Sequence, residues 1–221
     1  MKKIIIALLI VSTFAMAPFK KTKVVFFGDS ITQAGVNKGG YIDCMQTGIN
    51  QKNLQEQYEL VGAGVSGNKI YDLYLRMEDD VLAKQPDVVF IYVGVNDVWH
   101  KASSGTGTDA DKFERFYNAV VKKLQDKNIR VILCTPAAIG ERTDNSNQQD
   151  GDLNAYSNII RRIAQQENCE LVDLRKMLIA YNFENNKENK EKGMLTNDRV
   201  HLNDTGNQFV ANAMLAALLS K

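Results

Sequence analysis

Three runs of apolar residues constrain this chain most. Lys23-Val24-Val25-Phe26-Phe27, Asp87-Val88-Val89-Phe90-Ile91-Tyr92-Val93 and Arg130-Val131-Ile132-Leu133-Cys134 are short, rich in β-branched and aromatic residues, and do not alternate with polar ones. A strand with one face in water alternates; a run that does not has both faces to cover, as in a parallel sheet between helical layers. Tyr58-Glu59-Leu60-Val61 and Cys169-Glu170-Leu171-Val172 are weaker candidates and bring the expected strands to five.

Between these runs the apolar residues recur at helical spacing. Ile70, Leu73, Met77 and Val81 form one stripe; Phe113, Phe116, Tyr117, Val120 and Leu124 a second; Leu153, Tyr156, Ile159, Ile160 and Ile163 a third. A last stripe runs Phe209, Val210, Ala213, Met214, with Asn203, Asp204 and Thr205 as capping candidates before it. Strands alternating with helices at intervals of roughly 30 to 40 residues are βαβ units, so the expected fold class is α/β, a three-layer α/β/α arrangement. No internal repeat and no Pro/Gly/Ser linker divides the chain, and 221 residues with 44% hydrophobic content suit one core. Two polar stretches, 140–152 and 182–193, read as surface loops, with a lid over a site as the alternative.

The first seventeen residues read as a separate device. Lys2 and Lys3 precede the apolar run Ile4 to Val11, and small residues follow at Ala15 and Ala17, the layout of a secretory signal peptide. The run falls short of the ~20 apolar residues that a membrane helix needs, so export followed by removal is expected, to the periplasm or the outside. Residues 18–221 then form the single mature domain. Ala15-Met16-Ala17 fits a small-x-small cleavage pattern, although Pro18 is a poor residue after the cut; Thr13-Phe14-Ala15 is the fallback.

The formal charge of +1, or −1 once Lys2 and Lys3 are lost, offers no electrostatic footprint for nucleic acid. Cys44, Cys134 and Cys169 are odd in number and widely spaced, which suits neither a disulfide framework nor a metal site. Buried free thiols are the expectation for Cys134 and Cys169.

Only His100 and His201 can titrate near neutral pH, so any histidine-based mechanism uses one of them. His201 closes Asp198-Arg199-Val200-His201. A spacing of three lets one turn bring the carboxylate to Nδ1–H and leave Nε2 free as a general base. Alone, Asp-x-x-His is common on protein surfaces. Gly28-Asp29-Ser30 supplies a partner, because it follows the first strand directly, and open α/β sheets bind ligands beyond the carboxyl ends of their strands. The same tripeptide also reads as a plain helix cap. Neither a Walker loop nor Gly-x-Gly-x-x-Gly follows the strand, which leaves little case for a phosphate cradle.

Gly62-Ala63-Gly64-Val65-Ser66-Gly67 and Gly94-Val95-Asn96-Asp97 follow the second and third strands. A tetrahedral intermediate requires hydrogen-bond donors fixed in advance, and Gly64 (backbone N–H) and Asn96 (side-chain amide) are the candidates. Each segment taken singly is an ordinary strand-to-helix turn. Together they bring a nucleophile, a base with its orienting acid and two kinds of donor to one sheet edge. Ser66 is a rival nucleophile among the same glycines.

In these four segments the chain resembles the SGNH hydrolases, or GDSL-like lipases and esterases, over nearly the whole mature length. The segments are Gly28-Asp29-Ser30, the glycine of Ala63-Gly64-Val65-Ser66-Gly67, Gly94-Val95-Asn96-Asp97 and Asp198-Arg199-Val200-His201, in the family's order. The resemblance implies a flavodoxin-like five-stranded parallel sheet in the order 2-1-3-4-5 and no cofactor or metal. It also implies Ser30 as nucleophile, Asp198 and His201 completing a triad, and an oxyanion hole from the Ser30 and Gly64 N–H groups and the Asn96 amide. One departure is Gly62, where many relatives carry Asn two residues before the glycine. Gly-x-Ser-x-Gly is absent, against the larger α/β-hydrolase pattern.

The expected reaction is carboxylic-ester hydrolysis through an acyl-enzyme, with a small acyl group such as acetyl on a carbohydrate as substrate. Asp29, Trp99 and His100 are candidates for the substrate cleft, Trp99 equally for the core. A lysophospholipase, a thioesterase, an acyltransferase and a silent carbohydrate-binding module are the alternatives.

Overall fold

A computed structural model of the chain describes residues 20–220; the expected signal segment 1–17 lies outside them. Five strands, β1 (Thr22–Gly28), β2 (Tyr58–Gly64), β3 (Val88–Tyr92), β4 (Arg130–Cys134) and β5 (Glu170–Val172), form one sheet in the order β2-β1-β3-β4-β5. Every pairing is parallel. This is the expected α/β class with the expected order.

The helices are α1 (Ser30–Gly35), α2 (Tyr41–Gln51), α3 (Ile70–Asp80), α4 (Val95–Ser104), α5 (Ala110–Gln125), α6 (Asp150–Gln166), α7 (Leu174–Asn185) and α8 (Asp204–Leu219). α2 packs on α8 against one face of the sheet; α3, α5 and α6 pack in succession on the other. The central strands are buried on both faces, as their unbroken apolar runs require: Val24 through Phe27 and Val89 through Ile91 are inaccessible to solvent. Phe26 stacks on Phe90 across β1 and β3, with ring centroids 5.1 Å apart, and Tyr41 of α2 meets Phe26 edge-on at 5.8 Å.

The chain leaves β1 toward β2 on one side and returns past β1 to β3, so the winding direction reverses between β1 and β3. That reversal opens a crevice at the carboxyl ends of those two strands, where Ser30 opens α1 and Asn96 sits in the first turn of α4.

β2 runs three residues beyond Val61. Gly62, Ala63 and Gly64 pair in register with Phe26, Phe27 and Gly28, so Gly62, the departure from the family pattern, lies in a strand and not a loop. Stretches 140–152 and 182–193 are pinned to one another: Asn186 Nδ2 donates to the Glu141 carbonyl at 2.8 Å and the Thr143 N–H to Asn189 Oδ1 at 2.7 Å. The first ends in α6 and the second begins in α7. Among the described residues no helix is long and apolar enough to cross a membrane.

Candidate active site

Ser30 is the first residue of α1 and Asp29 its N-cap. The Asp29 carboxylate turns inward and accepts from the Ile31 N–H at 3.0 Å, and Asp29 is only 2% exposed. The capping role open to this tripeptide therefore falls to Asp29, which leaves the Ser30 hydroxyl free. It also removes Asp29 from the cleft lining, because a carboxylate aimed into the core cannot meet substrate. Burial pushes the Asp29 carboxyl up to about 7, against the opposing pull of the Ile31 N–H and the His201 ring.

His201 arrives on the segment between α7 and α8, 171 residues along the chain from Ser30. Its Nε2 lies 3.0 Å from Ser30 Oγ and its Nδ1 2.7 Å from Asp198 Oδ2. The other Asp198 oxygen accepts from the N–H groups of His201 at 2.8 Å and Val200 at 3.1 Å. Partial burial opposes ionisation of Asp198, but the hydrogen bonds from the His201 ring and from these two N–H groups outweigh it and hold the carboxyl below its ordinary value. Asp198 is thus a carboxylate at neutral pH, which fixes the proton on Nδ1 and turns the Nε2 lone pair to the serine. The structure brings the expected Ser30, His201 and Asp198 into one hydrogen-bonded chain. Asp198 and His201 keep half and just over a third of their side chains exposed, so the site is open at the surface.

The segment that carries this pair is held from below. The Glu141 carboxyl oxygens, 1% exposed as a residue, accept from the N–H groups of Met194 at 2.8 Å and Leu195 at 2.7 Å. The Gly140 N–H donates to the Arg199 carbonyl at 2.9 Å. Nothing in the sequence around Glu141 signals this role.

Asn96 is buried in the first turn of α4, and its Nδ2 donates to the Asn68 carbonyl at 3.0 Å, so one amide hydrogen is spent on orientation and the other is free. Two glycines of the second segment differ in their surroundings. Gly64 ends β2, and a Cβ there would collide with the backbone of Thr32, Gln33 and Asp29. Its missing side chain is explained by strand and helix passing closely, and the N–H that reaches the Gly28 carbonyl, at 3.2 Å, is that of the next residue, Val65. Gly67 is the open one: its φ is +77°, which suits glycine, and a Cβ would meet nothing within 4 Å. In its turn the Ser66 N–H donates to Gln33 Oε1 at 2.9 Å and the Asn68 N–H to the Val65 carbonyl at 3.3 Å, whereas the Gly67 N–H between them has no acceptor among the described residues. The positive φ, not the glycine itself, was the signal that sequence could not supply.

Trp99 and His100 stand three and four residues after Asn96 on α4 and so share its face. Both are partly buried, with ring centroids 5.8 Å apart. Burial, helped by the Lys69 charge, pulls the His100 pKa down. Cys44, Cys134 and Cys169 are free thiols, Cys134 fully buried, and burial raises all three. Among the described residues no group of three His, Cys, Asp or Glu side chains is placed to hold a metal ion.

The family model described as "GDSL-like Lipase/Acylhydrolase family" matches residues 26–209. The chain belongs to the GDSL-like lipase/acylhydrolase family. As a member of it, with intact segments, the protein is a carboxylic-ester hydrolase. It is 29% identical over 211 residues to an acetylxylan esterase of Geobacillus stearothermophilus, covering 87% of this chain and 92% of that one. The crystal structure of the acetyl xylan esterase AlAXEase is 68% identical, with a TM-score of 0.88 over 89% of this chain and all of that one. LAE5, an α/β hydrolase enzyme from the metagenome of Lake Arreo, Spain, is 28% identical, with a TM-score of 0.78 over 89% of this chain and 94% of that one.

Proposed function

We propose that this GDSL-family protein is an exported esterase that removes acetyl groups from carbohydrate, using Ser30, His201 and Asp198 through an acyl-enzyme. The observation that carries the reading is the unbroken chain from Ser30 Oγ to His201 Nε2, at 3.0 Å, and from His201 Nδ1 to Asp198 at 2.7 Å. Ser30 Oγ attacks the ester carbonyl while His201 Nε2 takes its proton; the carbonyl π pair moves onto oxygen. Collapse of the tetrahedral centre breaks the bond to the alcohol, which leaves with the proton from His201. Water then repeats the attack on the acyl-serine, giving up a proton to the same nitrogen, and releases the acid and Ser30.

The oxyanion is received by the Ser30 N–H, the free hydrogen of the Asn96 amide and, in place of Gly64, the Gly67 N–H. Both backbone donors are unspent, and Gly67 is joined to Asn96 through the next residue, Asn68. Trp99 and His100, on the Asn96 face of α4, line the approach to the ester.

Acetyl and carbohydrate enter from two sides. The two acetylxylan esterases above match 87% and 89% of this chain, and the Asp198–His201 pair stands open to solvent, which suits a bulky polar alcohol more than an enclosed lipid chain. Export is supported by the Lys2-Lys3 and Ile4–Val11 layout.

Hydrolysis of p-nitrophenyl esters from acetate to octanoate, followed by acetylated xylan, tests the substrate. A steep fall with acyl length and release of acetate from xylan are expected; a flat or rising profile makes the protein a longer-chain acylhydrolase. Ser30→Ala is expected to lose about 10³-fold or more in kcat, and Asn96→Ala about 10² to 10³-fold, both with the fold intact. Retained turnover in the folded Ser30→Ala protein overturns the mechanism.

A further inference from the structure

One guanidinium bridges two of the three segments that the proposed oxyanion hole is built from, and it holds the residue that orients the third. Arg76 sits near the end of α3 and is largely covered. Its Nη2 donates to the Gly28 carbonyl at 2.8 Å and to the Ala63 carbonyl at 3.0 Å, and its Nε to Asn68 Oδ1 at 2.6 Å. Its Nη1 is paired with Asp80 at 2.6 Å, one helical turn on, and its plane lies 4.6 Å from the centre of the Phe27 ring.

The acceptors matter more than their number. The Gly28 carbonyl is at the end of β1, two residues before the Ser30 N–H. The Ala63 carbonyl precedes Gly64 at the end of β2, where the turn to Gly67 begins. Asn68 follows Gly67, and its own carbonyl orients the Asn96 amide at 3.0 Å. A single planar fork therefore ties the ends of two strands together directly and, through Asn68, sets the Asn96 amide at the end of a third. The Asp80 pair and the Phe27 ring hold the fork itself still.

We infer that Arg76 is a positioning residue for ester hydrolysis, setting the Ser30 and Gly67 N–H groups and the Asn96 amide in register around the developing oxyanion. It does not reach the ester. This inference rests on the serine-hydrolase reading above. A lysine would keep the charge, but its compact ammonium cannot serve three acceptors in one plane, so charge alone does not substitute.

The test compares Arg76→Ala and Arg76→Lys with wild type on p-nitrophenyl acetate, each rate expressed per active site titrated to completion with a fluorophosphonate. Misplacing preorganised donors removes transition-state stabilisation without removing ground-state binding. Both variants are expected to lose about 10- to 100-fold in kcat per titrated site, with KM within about threefold of wild type. The midpoint of the pH profile should stay in place, because Ser30, His201 and Asp198 are untouched. Millimolar guanidinium should restore part of the rate of Arg76→Ala and leave Arg76→Lys unchanged. If Arg76→Ala fails to fold, Arg76→Lys and Asn68→Ala, which removes only the Nε acceptor, carry the same expectation.

A kcat per titrated site within twofold of wild type, a loss confined to KM, or an Arg76→Ala rate that guanidinium does not raise each overturns the inference. Ser30→Ala decides the underlying reading separately: should it hydrolyse the ester, the serine mechanism fails, whereas an inert Ser30→Ala beside a fully active Arg76→Ala sinks the Arg76 role alone.

Discussion

Asp29 and Asp97 are carboxyl groups that the fold keeps as acids. Asp97 is fully buried beneath Asn96, accepts from the Ile70 N–H at 3.2 Å, and is pushed up to about 7 by burial, as Asp29 is. In the unfolded chain both ionise near the ordinary value of ~4. Between those values the unfolded chain has released protons that the folded one still holds, so stability falls as pH rises from about 4 to about 7 and levels off above that. Asp87, Asp173 and Asp198, held below their ordinary values, act the other way, and their contribution is lost only in acid. In the neutral range, among the described residues, the two buried acids are opposed only by His100, whose lowered pKa makes stability rise as pH passes through its titration. Asp97→Asn keeps an oxygen for the Ile70 N–H and cannot ionise. Calorimetry in matched buffers is expected to show the wild-type Tm declining between about pH 5 and pH 7.5 and a flatter profile for Asp97→Asn. Equal slopes for the two proteins would show that the Asp97 carboxyl does not resist ionisation.

At the scale of elements, what the sequence disclosed and what it hid follow from where each element's apolar residues face. β1, β3 and β4 were legible because burial on both faces leaves an unbroken apolar run. The end of β2 was not: Gly62-Ala63-Gly64 has no strand propensity, and its pairing with Phe26, Phe27 and Gly28 holds it in the sheet. In sequence Gly64 and Gly67 look alike, and only the backbone separates the strand glycine from the one at positive φ. α4 left no stripe because its buried residues, Val95 to Val98, are consecutive, all at the end that enters the crevice. On α7 the exposed Met177, Ile179 and Phe183 blur the period set by Leu174 and Leu178. Ser30, Asn96, Asp198 and His201 were legible because each sits in a short segment at a strand end or before a cap. Glu141 was not, because its partners are backbone N–H groups more than fifty residues away, which no local pattern encodes. Since it holds the segment that delivers Asp198 and His201, Glu141→Ala leaves one buried and one partly buried N–H group without acceptors. The expected cost is about 2 to 4 kcal/mol. Tm should fall by roughly 5 to 15 °C, with a lower kcat in the protein that remains folded. Wild-type Tm and kcat would mean that water replaces the carboxyl without loss.

On the scale of the whole molecule, the two ends of the sheet do different work. The carboxyl rim carries Ser30, Asn96 and the Arg76 fork; the amino rim carries no proposed chemistry but has its own guanidinium. Arg130, the first residue of β4, pairs with both Glu170 oxygens at 2.6 Å, which ties β4 to the edge strand β5. It also donates to the carbonyls of Ala217 at 2.9 Å and of Leu218 and Ser220 at 3.1 Å, so it caps the C-terminus of α8 where the helix dipole favours a cation. Because α8 packs on α2, this clasp joins the last helix to the first half of the fold. Partial exposure of both side chains screens the ion pair, so its loss is expected to cost about 1 to 2 kcal/mol. Arg130→Met should lower Tm by roughly 2 to 8 °C. The strand spans roughly 16 Å between the rims, so kcat per titrated site should stay within twofold of wild type. The two arginines therefore make opposite predictions, Arg76 chiefly on rate and Arg130 on stability alone. An Arg130→Met protein that keeps its Tm but loses turnover would show that the amino rim is coupled to the reaction and that this division of the sheet is wrong.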